Sequence, residues 1–179
     1  MRIMTEHPTI DSLFEEWQAQ LGCDYIAYRN HVYRVFNLAS ALAGPENLQL
    51  EKLAVASAFH DIGIWLDETF DYLEPSIKRA ITFLSETGHK SWSTEIVSMI
   101  SEHHKIFRFH GDGVRLVEAF RRADWLDVCL FTLPTRLPRA FLGDVVRAFP
   151  RAGFHRRLIV FTLWWLREHP LQPLPMFKL

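Results

Sequence analysis

Leu53-Ala54-Val55-Ala56-Ser57-Ala58-Phe59-His60-Asp61 is the stretch on which the fold turns. Seven small or apolar residues run directly into an imidazole and a carboxylate. The apolar run fits a buried helix from about Leu50 to Phe59, with Gly63 just beyond its end. A His-Asp pair delivered there is costly to bury unless something binds it, and a divalent metal uses the lone pairs of both groups while offsetting the charge. The dipeptide alone says little. Nine histidines and nine aspartates in 179 residues give about 0.5 such pairs by chance. Its meaning depends on what the rest of the chain sets around it.

Helical periodicity dominates in both directions from the pair. Upstream, Ile10, Leu13, Phe14, Trp17 and Leu21 recur at helical spacing after Pro8-Thr9, and Gly22 ends that helix. A second helix is expected from about Ala27 to Ala43, with Val32, Val35, Phe36, Ala39 and Leu42 on its apolar face and Gly44-Pro45 as its stop. Downstream, Ile62 to Glu74 reads as a loop or short turns. Pro75 suits the first turn of a helix reaching Glu86, with Gly88 after it. Ser91 or Ser93 starts another, carrying Ile96, Val97 and Ile100 into His103-His104. Phe107 to Gly113 is a loop, and Val114 to Phe131 is helical. Pro134 and Pro138 precede a helix over Arg139–Phe149, and a last helix spans about Gly153 to Glu168 before Pro170, Pro173 and Pro175. No alternating run long enough for a strand is present. The expected fold is all-α: a single domain of about eight helices.

Composition agrees with this and excludes several functions. Apolar residues make up 49% and aromatics 13%, enough for a substantial core. The net charge of -1, with a sequence pI of about 6.8, disfavours nucleic acid, although Lys78, Arg79, Arg121 and Arg122 leave room for a local patch. Cys23 and Cys129 form no CxxC motif and no disulfide framework, so a reducing, cytoplasmic setting is expected. The first residues hold no signal-peptide core. Leu158 to Leu166 is the longest apolar stretch, far short of the roughly 20 residues that span a bilayer. No membrane association is expected, and a homodimer is left open.

Which polar residues fall inside helices that otherwise read as core? His31 lies on the second helix, His60-Asp61 end the third, and Asp124 sits in Phe120-Arg-Arg-Ala-Asp124. Singly, each has a plain explanation: a hydrogen-bonded core histidine, or an aspartate paired with Arg121 or Arg122. Together they offer two imidazoles and two carboxylates, a neutral set around a dication. The mixed nitrogen and oxygen donors suit Mn, Fe, Ni, Co or Zn, and Mg less readily.

The order His31, then His60-Asp61, then Asp124 resembles the HD-domain metal-dependent phosphohydrolase superfamily. His31-Val-Tyr-Arg34-Val35 looks like the family's opening block, and Ala58-Phe-His60-Asp61-Ile-Gly63 like its central one. Ile100-Ser-Glu-His103 and Arg122-Ala-Asp124-Trp-Leu-Asp127 look like its later segments. The resemblance covers about residues 28–128. It implies an HD-like core there, on which the C-terminal helices pack.

The resemblance implies that His31, His60, Asp61 and Asp124 are the ligands of one divalent transition metal. Asp61 is placed where it can also take a proton from a metal-activated water, with His103 or His104 as proton donor or phosphate contact. Arg34, one turn after His31, is expected at a substrate phosphate or orienting a ligand carboxylate, and Lys105 at the pocket border. The implied substrate is a small phosphorylated or nucleotide-like molecule. A second metal site is not expected to be complete, because the helix after the pair has no histidine until His89, which reads as a surface cap residue. Both His103 and His104 can face one site only if their helix ends there, since adjacent helical residues diverge by about 100°. An acid among Asp67, Glu68 and Asp71 could serve as general base, but a solvated turn is the plainer reading. Trp65, Phe70 and Tyr72 are an aromatic wall or core packing. Trp164-Trp165 reads as core with one edge exposed, and His110 as part of a solvated loop. Two other functions stay in view. A dinuclear iron oxygenase of the same fold would require His103, His104 and His89. A sensor that binds metal or nucleotide without turnover has no need of all four ligands.

Overall fold

The computed structural model describes residues 1–44, 46–171 and 175–177. Its helices are α1 (Pro8–Leu21), α2 (Tyr25–Ala43), α3 (Asn47–Phe59), α4 (Gly63–Leu66), α5 (Leu73–Glu86), α6 (Ser93–Glu102), α7 (Val114–Val128), α8 (Arg139–Ala148) and α9 (Phe154–Glu168). Among the described residues eight of these run for ten residues or more, α4 is a single turn, and no strand occurs. The all-α expectation holds. Pro45 and Pro173 lie outside the described residues. No helix is long and apolar enough to cross a membrane.

α2 is the axis of the molecule. Its buried residues lie on every side of the helix, as expected of one enclosed by others. It packs most extensively along α7, with α3 on another side and α8 and α9 touching it further round. Burial on all sides is costly for polar residues without partners, and the larger polar side chains of α2 have them. Asn30 donates to the Pro150 carbonyl at 2.7 Å, and Asn37 bonds Met4 and the Tyr33 carbonyl. Gly44 ends the helix in the left-handed conformation, φ 57°, returning its N–H to the Ser40 carbonyl.

α1 lays Ile10, Leu13, Phe14, Trp17 and Leu21 into the core, the stripe read from the sequence. α3 ends at Phe59, and His60 still has helical dihedrals and donates its N–H to Ala56. The chain then turns through Asp61 and Ile62 into α4, a single turn within the stretch expected to hold a loop or short turns. Gly63 makes the close approach possible. A Cβ there would lie 2.8 Å from the Tyr72 carbonyl oxygen and 3.1 Å from Ser76 Oγ, to which the Gly63 N–H donates at 3.0 Å. Ser76, where a ligand histidine is absent, thus ties α4 to α5. α7 stops at Val128, three residues short of the expected end, and Leu130 and Phe131 follow with positive φ.

Candidate metal centre

Four elements converge on one buried point: α2 with His31, the α3 end with His60 and Asp61, the α6 end with His103 and His104, and α7 with Asp124 and Asp127. His31 and His60 point Nε2 at each other, 3.0 Å apart. Asp61 Oδ2 lies 3.6 Å from His31 Nε2 and 3.4 Å from His60 Nε2. Asp124 Oδ1 lies 3.5 and 3.6 Å from the same two nitrogens. Donors held about 2.1 Å from one ion lie about 3.0 Å apart on an octahedral edge and about 3.4 Å apart on a tetrahedral one, so these spacings suit a first-row dication.

The hydrogen bonds behind the rings fix which nitrogen is free. His60 Nδ1 meets the Ser57 carbonyl at 2.8 Å, and His103 Nδ1 meets the Ile100 carbonyl at 2.6 Å. A carbonyl only accepts, so both Nδ1 atoms carry the proton and both Nε2 atoms present lone pairs when the rings are neutral. His31 Nδ1 donates to Asp127 Oδ2 at 2.8 Å with the same consequence. Lone pairs facing one another at 3.0 Å repel unless a cation or proton lies between them. Asp61 Oδ1, Asp124 Oδ1 and His103 Nε2 are buried and make no hydrogen bond. Such orphaned acceptors, together with this donor set, fit a divalent metal.

The electrostatics fit as well. Burial alone would lower the His31 pKa, but hydrogen bonds to Asp127 and Asp61, with the nearby carboxylates, overcome it and raise the value to about 9. Burial would raise Asp61 and Asp124, yet the surrounding histidines hold both below the usual carboxylate range. Without a metal the cluster therefore holds protons in its place.

Asp127 is the residue whose part the sequence reading missed. It lies one helical turn after Asp124 on α7 and is fully buried. Its Oδ1 accepts from Arg34 Nε at 2.6 Å, and its Oδ2 accepts from Arg34 Nη2 and His31 Nδ1, both at 2.8 Å. The Arg34 expectation is corrected accordingly. Arg34 is wholly buried, and its remaining nitrogen donates to the Phe149 carbonyl at 3.1 Å, so it cannot reach a substrate phosphate. It orients a carboxylate, that of Asp127, which in turn sets the His31 tautomer. Phe154, at the start of α9, stacks on the His31 ring at 4.0 Å and 12°.

α6 ends at Glu102, so His103 and His104 both turn towards the site, their ring centroids 3.9 Å apart. His103 Nε2 lies 3.4 Å from Asp61 Oδ1, and His104 Nδ1 lies 4.0 Å from Asp124 Oδ2. Asp61, His103 and His104 form a second group able to hold an ion, sharing Asp61 with the first. The expected gap in a second site is thus partly closed from α6. His89 is exposed, set against Trp92 and far from this role.

A cavity of about 220 Å³ opens over the cluster. Asp61, Asp124 and His104 form its polar floor, while Phe70, Tyr72, Trp125, Val128, Leu158 and Met176 make most of its wall. Tyr72 shares a hydrogen bond with His104 Nε2. Burial first, then Asp61 and Asp124, push the Tyr72 phenol well above its usual pKa, so it stays protonated. Phe70 and Tyr72 therefore do form an aromatic wall. Trp65 does not: it packs on Tyr28 and donates to Asp24. Lys105 is half-buried and does not line this cavity. Asp67 is committed to Arg79 at 2.7 Å. His110 is exposed, Trp165 buried and Trp164 half-exposed.

The sequence model of the family described as HD domain matches residues 28–128, more than half of the chain. The chain belongs to the HD-domain family. The matched span carries every donor of the HD site, from His31 to Asp124, together with Asp127 and Arg34. Phe154, Leu158, Thr162 and Met176, which back or enclose the HD site, lie beyond it. Comparison with curated proteins and with solved structures finds no match.

Proposed function

We propose that this HD-domain protein is a metal-dependent phosphohydrolase acting on a small phosphorylated molecule. One observation carries the reading: the lone pairs of His31 and His60 and the carboxylates of Asp61 and Asp124 converge at 3.0–3.6 Å on the floor of a cavity. A divalent metal bound there supplies Lewis acidity towards a phosphoryl oxygen and makes a nearby water more acidic.

The chain's own residues do the rest. Asp61 would be among the residues that hold the metal, and its Oδ1, 3.4 Å from His103 Nε2, is the oxygen that would take a proton from the attacking water. His104 lines the cavity, with Tyr72 on its other ring nitrogen, and is the group positioned to contact a phosphoryl oxygen as a hydrogen-bond donor. Burial first, and then His103, lower the His104 pKa to about 3 in the metal-free protein, so it starts neutral. His103 lies behind it and supports Asp61. Arg34 and Asp127 position His31.

The second donor group favours a second reading, in which two ions bound by all six residues act on dioxygen. Hydrolysis of phenyl phosphate by manganese- or nickel-loaded protein, measured with and without oxygen, separates the two. Turnover without oxygen that is abolished in Asp61→Ala supports the hydrolase. Turnover that requires oxygen, or an Asp61→Ala variant as active as wild type, overturns it.

A further inference from the structure

The wall of the cavity has a composition that a nucleotide or sugar phosphate does not match. Among the described residues no lysine or arginine lines it. Of the arginines near its lining residues in sequence, Arg157 is committed to Asp24 at 2.7 Å, and Arg121 to Glu118 and the Lys105 carbonyl. The two hydroxyls on the wall are also taken. Tyr72 bonds His104, and Thr162 Oγ1 donates to the Leu158 carbonyl at 2.8 Å, which turns its methyl outward. A carboxylate, a second phosphate or a set of sugar hydroxyls placed against Phe70, Leu158 and Met176 would lose water without gaining partners. Phe70, Trp125, Leu158 and Met176 instead offer apolar surface that rewards an apolar guest.

From this we infer that the substrate's organic part is a compact, uncharged apolar or aromatic group seated against Phe70, Trp125, Leu158 and Met176. The inference rests on the phosphohydrolase reading, whose ion would provide the positive charge that the described lining lacks. Part of that wall, Leu158 and Thr162 on α9 and Met176 in the Pro175–Phe177 turn, lies outside the segment shared with the family.

Calorimetric titration of the manganese-loaded protein with two non-hydrolysable phosphonates tests this. Benzylphosphonate carries an aromatic ring, and 3-phosphonopropionate a carboxylate. Wild type is expected to bind benzylphosphonate about tenfold or more tightly than 3-phosphonopropionate. Thr162→Lys, and separately Met176→Lys, bring an ammonium to the wall and are expected to reduce that preference to about threefold or less. Two sites are substituted so that loss of folding in one variant leaves the other to decide. Equal or tighter binding of 3-phosphonopropionate by wild type overturns the inference and leaves the hydrolase reading standing. So does an undiminished preference in both lysine variants. If inorganic phosphate and both phosphonates fail to bind while manganese does, the hydrolase reading itself fails.

Discussion

Asp127→Asn removes one charge from the support of His31 and leaves every proposed metal ligand in place. Asp127 accepts three hydrogen bonds, at 2.6, 2.8 and 2.8 Å, two from Arg34 and one from His31. An asparagine has one carbonyl and one NH₂ for these positions. With the NH₂ towards Arg34 Nε, two donors collide and the guanidinium loses its fork. With it towards Arg34 Nη2, two donors again collide, and His31 must accept at Nδ1, moving its proton to Nε2, where the metal belongs. Either way Arg34 keeps a buried charge without a counter-ion, and breaking such a pair costs about 3–5 kcal/mol. Substitutions behind a metal-bound histidine cost about 10–100-fold in metal affinity, about 1.4–2.7 kcal/mol. Two assays read the two effects: urea unfolding of the metal-free proteins, and calorimetric titration of each with zinc or manganese. The expected variant is less stable by several kcal/mol and binds metal at least tenfold more weakly. A folded Asp127→Asn protein with wild-type metal affinity and wild-type stability would refute the reasoning.

Further predictions concern the same neighbourhood. The His31 pKa of about 9, raised from 6.5, means the metal-free fold binds a proton more tightly than the unfolded chain does. Metal-free stability from this group is thus fully present below pH 6.5 and is lost as pH rises through about 9, whereas apparent metal affinity rises over the same window because the ion displaces that proton. Denaturation and metal titration across that range check the opposite slopes, and parallel ones would contradict the assignment. Gly63→Ala places a Cβ 2.8 Å from the Tyr72 carbonyl, where backbone must give way, and is expected to cost about 1–3 kcal/mol by denaturant unfolding. Phe154→Ala is expected to cost about 3–5 kcal/mol and to weaken metal binding by freeing the His31 ring, with Phe154→Leu intermediate in both measurements.

How much of this was legible in the sequence follows from the range of the interactions involved. Helices were legible because their signals are local: the stripe of α1, the glycine at 44, the proline near the start of α5. The start of α3 and the end of α7 were less so. Beyond α7, Leu130 and Phe131 adopt positive φ, a conformation neither residue favours on its own, and the Phe131 N–H closes on the Leu126 carbonyl at 2.7 Å. His31, His60, Asp61 and Asp124 stood out because imidazoles and carboxylates in apolar helices need a partner. Asp127 carried the same signal, one turn beyond Asp124, but the sequence does not show that Arg34 is its partner. That the two satisfy each other depends on α2 lying along α7, a contact between residues 93 apart in the chain. The cavity wall was least legible, since Leu158, Thr162 and Met176 reach the site only through tertiary packing.

The most direct test of the central claim is the metal content of protein purified without chelator. One or more Mn, Fe, Co, Ni or Zn ions per chain are expected in wild type after loading and dialysis, and close to none in Asp124→Ala treated identically. Wild-type protein that retains no divalent metal after loading, or an Asp124→Ala variant that retains as much as wild type, would contradict it.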